Sequence, residues 1–166
     1  MQGMKVYAKT VDLKVIADDC VGLLSSIAEK KLVTINSNIH NSMNVFADNE
    51  MVKLILRNLL SNSIKFSNPR TEIALDAKTE NNKVVVWVRD CGLGMSNENQ
   101  EKLFKYENFS TYGTSNEKGM GIGLLLCKDF VERNGGRIWF ESELEKGSTF
   151  YFSLPTKEAT AIQNQS

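Results

Sequence analysis

The sequence predicts an α+β fold, a two-layer α/β sandwich, on three observations. Helical and strand-like segments come in blocks instead of strict alternation, which favours mostly antiparallel pairing over a doubly wound parallel sheet. One segment, 49–67, carries a long helical stripe of apolar residues. Two pairs of strand-like segments are each joined by a short turn signal, as hairpins are.

In chain order, 5–11 reads as a short strand and 12–31 as a helix. Leu13, Ile16, Val21, Leu24, Ile27 and Ala28 follow helical spacing there, with Asp12 as N-cap. The β-branched stretch 32–39 reads as a strand, 41–44 as a turn and 45–47 as a second short strand. Asp48 is a good N-cap for the helix 49–67, whose core face is Met51, Val52, Ile55, Leu56, Leu59 and Leu60. Asn68-Pro69 stops that helix. Segments 72–79 and 83–90 alternate around Glu80-Asn81-Asn82, a hairpin signal. Ser96 can cap a short helix ending near Leu103, whereas 104–118 shows no sustained period and is expected to be a mobile, functional loop. Segment 122–134 is helical and is ended by Gly135-Gly136. The strands 137–142 and 148–154 turn near Lys146-Gly147.

At 166 residues the chain fits one domain with a proper core, and 42% apolar with 24% charged residues is an ordinary globular balance. Twenty basic residues offset twenty acidic ones, so no nucleic-acid footprint is expected. No apolar run approaches membrane-spanning length. Cys20, Cys91 and Cys127 match no zinc spacing and fit a reducing compartment. The polar stretch 156–166 is expected to be a linker or tail.

Two stretches stand out. Asp90 ends an apolar strand and is followed by alternating glycines in DCGLGM (90–95). The glycines permit a sharp turn and a close approach. Asp90 is either a strand-end turn residue or an acceptor for an exocyclic amine, which would select adenine over guanine. Gly119, Gly121 and Gly123 in GMGIGL (119–124) lead into a helix, an arrangement suited to phosphate. On the helix 49–67, Asn58, Asn62 and Lys65 fall at i, i+4 and i+7, on one stripe beside the apolar face. That stripe is either a solvated helix face or, beside two glycine stretches, a set of amide oxygens for Mg²⁺ and an ammonium for phosphate.

In combination these stretches resemble the ATP-binding catalytic domain of sensor histidine kinases, within the GHKL ATPase superfamily. RNLLSNSIKFS (57–67) is similar to the asparagine box, DCGLGM and GMGIGL to the two glycine boxes, and LFKYENFS (103–110) to the phenylalanine box. GSTFYFSLP (147–155) resembles the closing strand, and RNGGRIWFESELEKGS (133–148) the hairpin before it. The resemblance covers roughly 11–155 in the right order. It implies the Bergerat fold, a mixed, mostly antiparallel sheet covered on one face by helices, with a catalytic domain over 1–155 and an ATP lid over about 97–118. The implied cofactors are ATP and Mg²⁺. Asn62 would hold the metal, and Asn58 and Lys65 would lie by the phosphates. Asp90 would bind the adenine amino group, with Gly92 in the same loop and Gly94 and Met95 lining the ring. Gly119, Gly121 and Gly123, with Leu124, would carry the lid hinge, and Thr149 would lie beneath the base. Phe66 and Phe109 are candidate aromatic contacts. Cys91 departs from the family's usual Asn, and Met120 and Ile122 from a small hydroxyl residue and Leu.

Asn58 bears most on mechanism. In the hydrolytic branch of that superfamily a glutamate stands four residues before the metal asparagine and activates water. An amide cannot act as a general base near neutral pH. ATP is therefore expected to be held and its γ-phosphoryl passed to an external nucleophile, which the resemblance implies is a histidine on a separate dimerising helical hairpin. The one histidine, His40, lies at a predicted strand end without an acidic neighbour and reads as a surface residue. Further expectations are a downstream response-regulator receiver domain as partner, no direct membrane contact, a cytoplasmic location and a monomeric isolated chain. A serine-directed kinase of the same fold and a docking module without transfer activity are the competing readings.

Overall fold

The computed structural model describes residues 4–105 and 122–159. Among these residues the elements run in the order β1 (Ala8–Asp12), α1 (Leu13–Lys30), β2 (Thr34–Ser37), β3 (Asn44–Asp48), α2 (Asn49–Phe66), β4 (Glu72–Glu80), β5 (Lys83–Arg89), α3 (Asn97–Lys102), α4 (Ile122–Arg133), β6 (Ile138–Glu143) and β7 (Gly147–Pro155). The main sheet has the order β2-β4-β5-β7-β6. β2 runs parallel to β4, and every other pairing in the sheet is antiparallel. The expected mixed, mostly antiparallel sheet is thus observed. β1 stays outside it and forms a two-stranded antiparallel ribbon with β3.

Helices α1, α2 and α4 pack side by side, α2 in the middle. Leu13 and Ile16 from α1 and Ile55, Leu56, Leu59 and Leu60 from α2 are fully buried with Ile73, Leu75, Phe152 and Leu154 of the sheet. Burying one such side chain contributes about 1.5–3 kcal/mol, which is why the apolar stripe of α2 dictates where that helix lies. The other face of the sheet has no helix among the described residues. Trp87, Tyr151 and Trp139 lie in register across β5, β7 and β6 there, the last two stacked at 5.3 Å between ring centroids.

The capping residues act as the sequence predicts. Asp12 accepts from Lys14 N–H, and Asp48 Oδ1 accepts from Glu50 and Met51 N–H at 3.0 and 3.2 Å. α4 ends in a Schellman turn: Gly135, at φ +80°, donates to Glu132 O, and Gly136 donates to Val131 O. One packing expectation fails. Ile27 is 56% exposed, whereas Ala17 and Cys20 join the buried stripe of α1. The stripe runs through residues 13, 16, 17, 20, 24 and 28, and residue 27 sits about 100° around the helix from residue 28.

Candidate functional site

Asp90 follows β5 directly and is 5% exposed. Its Oδ1 accepts from Gly92 N–H at 3.0 Å and Ser148 N–H at 3.2 Å, and its own N–H donates to Ser148 O at 2.9 Å. Burial pushes the carboxyl pKa up, and the two backbone donors oppose that shift. Among the described residues every hydrogen bond to the carboxylate goes to Oδ1. Oδ2 accepts none of them.

The loop after Asp90 is held by the chain's own backbone. A Cβ on Gly92 would lie 2.0 Å from Phe66 O, and one on Gly94, whose φ is +63°, 1.9 Å from Glu143 O. Both glycines thus answer the expected need for close approach, and what approaches is protein. Leu93 N–H donates to Phe66 O, and Glu145 N–H donates to Leu93 O. Met95 N–H donates to Ser142 Oγ at 2.9 Å, and Gln100 Nε2 donates to Met95 O and Ser142 O. The loop is thereby fixed between the C-terminus of α2 and the β6–β7 hairpin, with Met95 packed against the core.

α2 borders the site along its whole second half. Asn58 is half-buried, and its Oδ1 lies 3.2 Å from where a Gly123 Cβ would stand, so glycine at the start of α4 leaves room for the amide. Between them Cys127 is buried with its Sγ 3.9 Å from Ile55 O, and burial pushes its thiol up to about 12. It is no nucleophile. Asn62 is half-buried one turn further on, and Lys65 is 8% exposed with Nζ 4.5 Å from the Phe66 ring centroid. This is a cation–π contact on the last turn of α2. Lys31, just past α1, donates from Nζ to Ile64 O and Lys65 O at 2.9 and 2.6 Å, supporting the helix end that carries them.

Asn58, Asn62, Lys65, Phe66, Asp90, Gly92, Gly94, Met95 and Gly123 thus gather around α2 and the loop it clasps. Leu124 is 7% exposed and part of the hydrophobic core, so its side chain serves packing. Thr149, expected beneath the base, lies on the sheet face turned away from α2 and Asp90. It pairs in register with Arg89 and Glu141 and shares the outer sheet face with Tyr151, because alternate strand residues point to opposite faces. Ser148 takes the inner position, opposite Asp90. Alternation in phase with the buried Phe150 and Phe152 was the signal that points to it. Ser142, whose Oγ lies 2.7 Å from Ser148 Oγ, carries no such signal. Phe109, Gly119 and Gly121 lie outside the described residues, as do Met120 and positions 106–118 of the expected lid. Positions 97–102 form α3, capped by Ser96, whose Oγ accepts from Asn99 N–H.

Residues 47–158 match the family described as histidine kinase-, DNA gyrase B-, and HSP90-like ATPase. The adaptive-response sensory kinase SasA of Synechocystis is 31% identical over 153 residues, which are 91% of this chain and 40% of that relative. The chain therefore spans less than half the length of this curated relative. A solved structure of the catalytic domain of histidine kinase ThkA, free of nucleotide, matches with a TM-score of 0.78 at 25% identity, over 92% of this chain and 97% of that one. ThkA in complex with response regulator protein TrrA matches with a TM-score of 0.74 at 25% identity, over 92% of this chain and 42% of that one.

Proposed function

The chain belongs to the histidine kinase-, DNA gyrase B-, and HSP90-like ATPase family, and we propose that it is the ATP-binding catalytic domain of a sensor histidine kinase, holding Mg-ATP while the γ-phosphoryl passes to a histidine on a separate helical domain. The observation that carries this reading is Asp90: a buried carboxylate with one oxygen fixed by two backbone N–H groups and the other open to a donor. An exocyclic amine is the donor that adenine presents and guanine does not in the same place.

Asn58 decides between hydrolysis and transfer. Its amide, turned toward Gly123 at the start of α4, can orient phosphate but cannot deprotonate water. Bound ATP then waits for an external nucleophile, and the chain contributes positioning and charge. Lys65 supplies positive charge on the same stripe.

The side chains present fit a magnesium ion only as a companion of the phosphates. Among the described residues no three or more His, Cys, Asp or Glu are grouped as a metal site, whereas the stripe offers amide oxygens. Mg²⁺ keeps several waters and needs few protein ligands when phosphates complete its shell, so Asn62 would hold it. Held there, the ion would supply positive charge to offset that developing on the phosphoryl group. On this reading residues 1–155 are the catalytic unit, about 97–118 of them the lid segment, and 156–166 a linker or tail. Like ThkA with TrrA, the full protein partners a response regulator, and the domain works in the cytoplasm.

Calorimetric titration of the 166-residue chain with MgATP tests this reading. Saturable binding with almost no turnover, lost in Asp90→Asn, is expected. Sustained hydrolysis would show a water-activating group elsewhere, and an absence of binding would overturn the proposal.

A further inference from the structure

Ser63 sits on α2 between Asn62 and the residues that clasp the Asp90 loop. It is 2% exposed, and its Oγ is the one buried side-chain polar atom among the described residues without a hydrogen-bond partner. A serine inside a helix has a default acceptor one turn back, the carbonyl at i−4. Ser63 does not use it. Its own carbonyl is engaged normally, accepting from Ser67 N–H and Oγ. The hydroxyl stands near enough to Asp90 to favour the charged carboxylate, without the geometry of a hydrogen bond to it.

The other polar groups around Asp90 are already committed. The N–H groups of Gly92 and Ser148 serve Oδ1. The hydroxyls of Ser142 and Ser148 pair with each other, and Ser67 Oγ donates to Ser63 O. Thr149 faces the far side of the sheet. An ionised carboxylate can only accept, yet the ring nitrogens flanking an adenine amino group are themselves acceptors and need a donor. We propose that the Ser63 hydroxyl is the second reader of the base, donating to a ring nitrogen next to the amino group, directly or through one water. Asp90 and Ser63 then form an acceptor–donor pair matching the donor–acceptor edge of adenine. This inference rests on the reading of the site as an adenine-nucleotide site.

The test is calorimetry of the full chain and Ser63→Ala with MgATP, 1-deaza-ATP and 7-deaza-ATP, beside Asp90→Asn as a reference. Alanine removes a hydroxyl that makes no hydrogen bond within the described residues, so Ser63→Ala should melt no lower than the wild type. Its Kd for MgATP should rise about five- to tenfold, the size of one neutral hydrogen bond. The penalty should vanish with one of the two deaza analogues, identifying the ring nitrogen read. A Kd within twofold of wild type, or an equal penalty with all three nucleotides, would overturn the inference while binding by the wild type and its loss in Asp90→Asn left the site reading intact. Failure of the wild type to bind MgATP would overturn both.

Discussion

Asp90 and Ser148 face each other as the pair that continues the β5–β7 ladder, each N–H donating across: Asp90 N–H to Ser148 O at 2.9 Å, Ser148 N–H to Asp90 Oδ1 at 3.2 Å. A backbone group opposite the carboxylate thus locks the side chain proposed to read the base. The lock holds a titratable carboxyl in a buried place.

Burial raises the Asp90 pKa in the folded state, so the folded protein binds this proton more tightly than the unfolded chain. Stability therefore falls as pH rises from the unfolded carboxyl range through the raised folded value, and the full cost is present above it. Asp90→Asn removes that slope. Denaturation midpoints should show the variant at least as stable as the wild type at pH 7, with its advantage gone near pH 4, while ATP binding is lost at pH 7.

The glycines form a graded series. A Cβ at Gly147 would lie 2.2 Å from Asp90 O, on backbone at φ +114°, whereas at Gly135, φ +80°, nothing comes nearer than 3.9 Å. Gly135→Ala should cost about 1 kcal/mol, the strain of a left-handed residue alone. Gly147→Ala adds a collision with backbone that cannot swing aside, and urea denaturation should place its cost above about 3 kcal/mol.

Leu32 holds the left-handed position after α1, φ 63°, where glycine is usual, and it is 54% exposed. Its N–H donates to Glu29 O and Val33 N–H to Ala28 O, completing the turn. Leu32→Asn keeps these bonds and relieves the strain, so thermal unfolding should show a gain of about 0.5–1 kcal/mol.

Lys31→Met removes the ammonium that bonds the carbonyls of Ile64 and Lys65 while keeping the aliphatic stem. Bonds of this charge-assisted kind are worth about 1.5–3 kcal/mol each at most. Chemical denaturation should register a loss of about 2 kcal/mol, and MgATP affinity should fall with it, because the same turn carries Lys65 and Phe66.

Much of this was open to sequence reasoning because it is local. The period of Met51 to Leu60 made α2, Asp12 and Asp48 marked helix starts, and the phase of Phe150 and Phe152 held the inner face of β7. That last signal also points to Ser148, since a strand residue cannot share a face with its neighbour, and it puts Thr149 on the outer face. Ile27 is exposed although it follows helical spacing, because that spacing alone admits two adjacent stripes and the packed partner decides which is covered.

From sequence alone came the segments, the two glycine stretches, the amide where a water-activating glutamate would stand, and the family resemblance. Each depends on residue types within a few positions of one another. Tertiary structure alone decided that β1 leaves the main sheet for β3, that β2 joins β4 in parallel, that Gly92 meets the carbonyl of Phe66, and that Ser63 is buried without a partner. A segment's period encodes its own faces. What covers those faces, and how close another backbone comes, is set by residues far away in the chain, as Asp90 and Ser148 are at a separation of 58 positions.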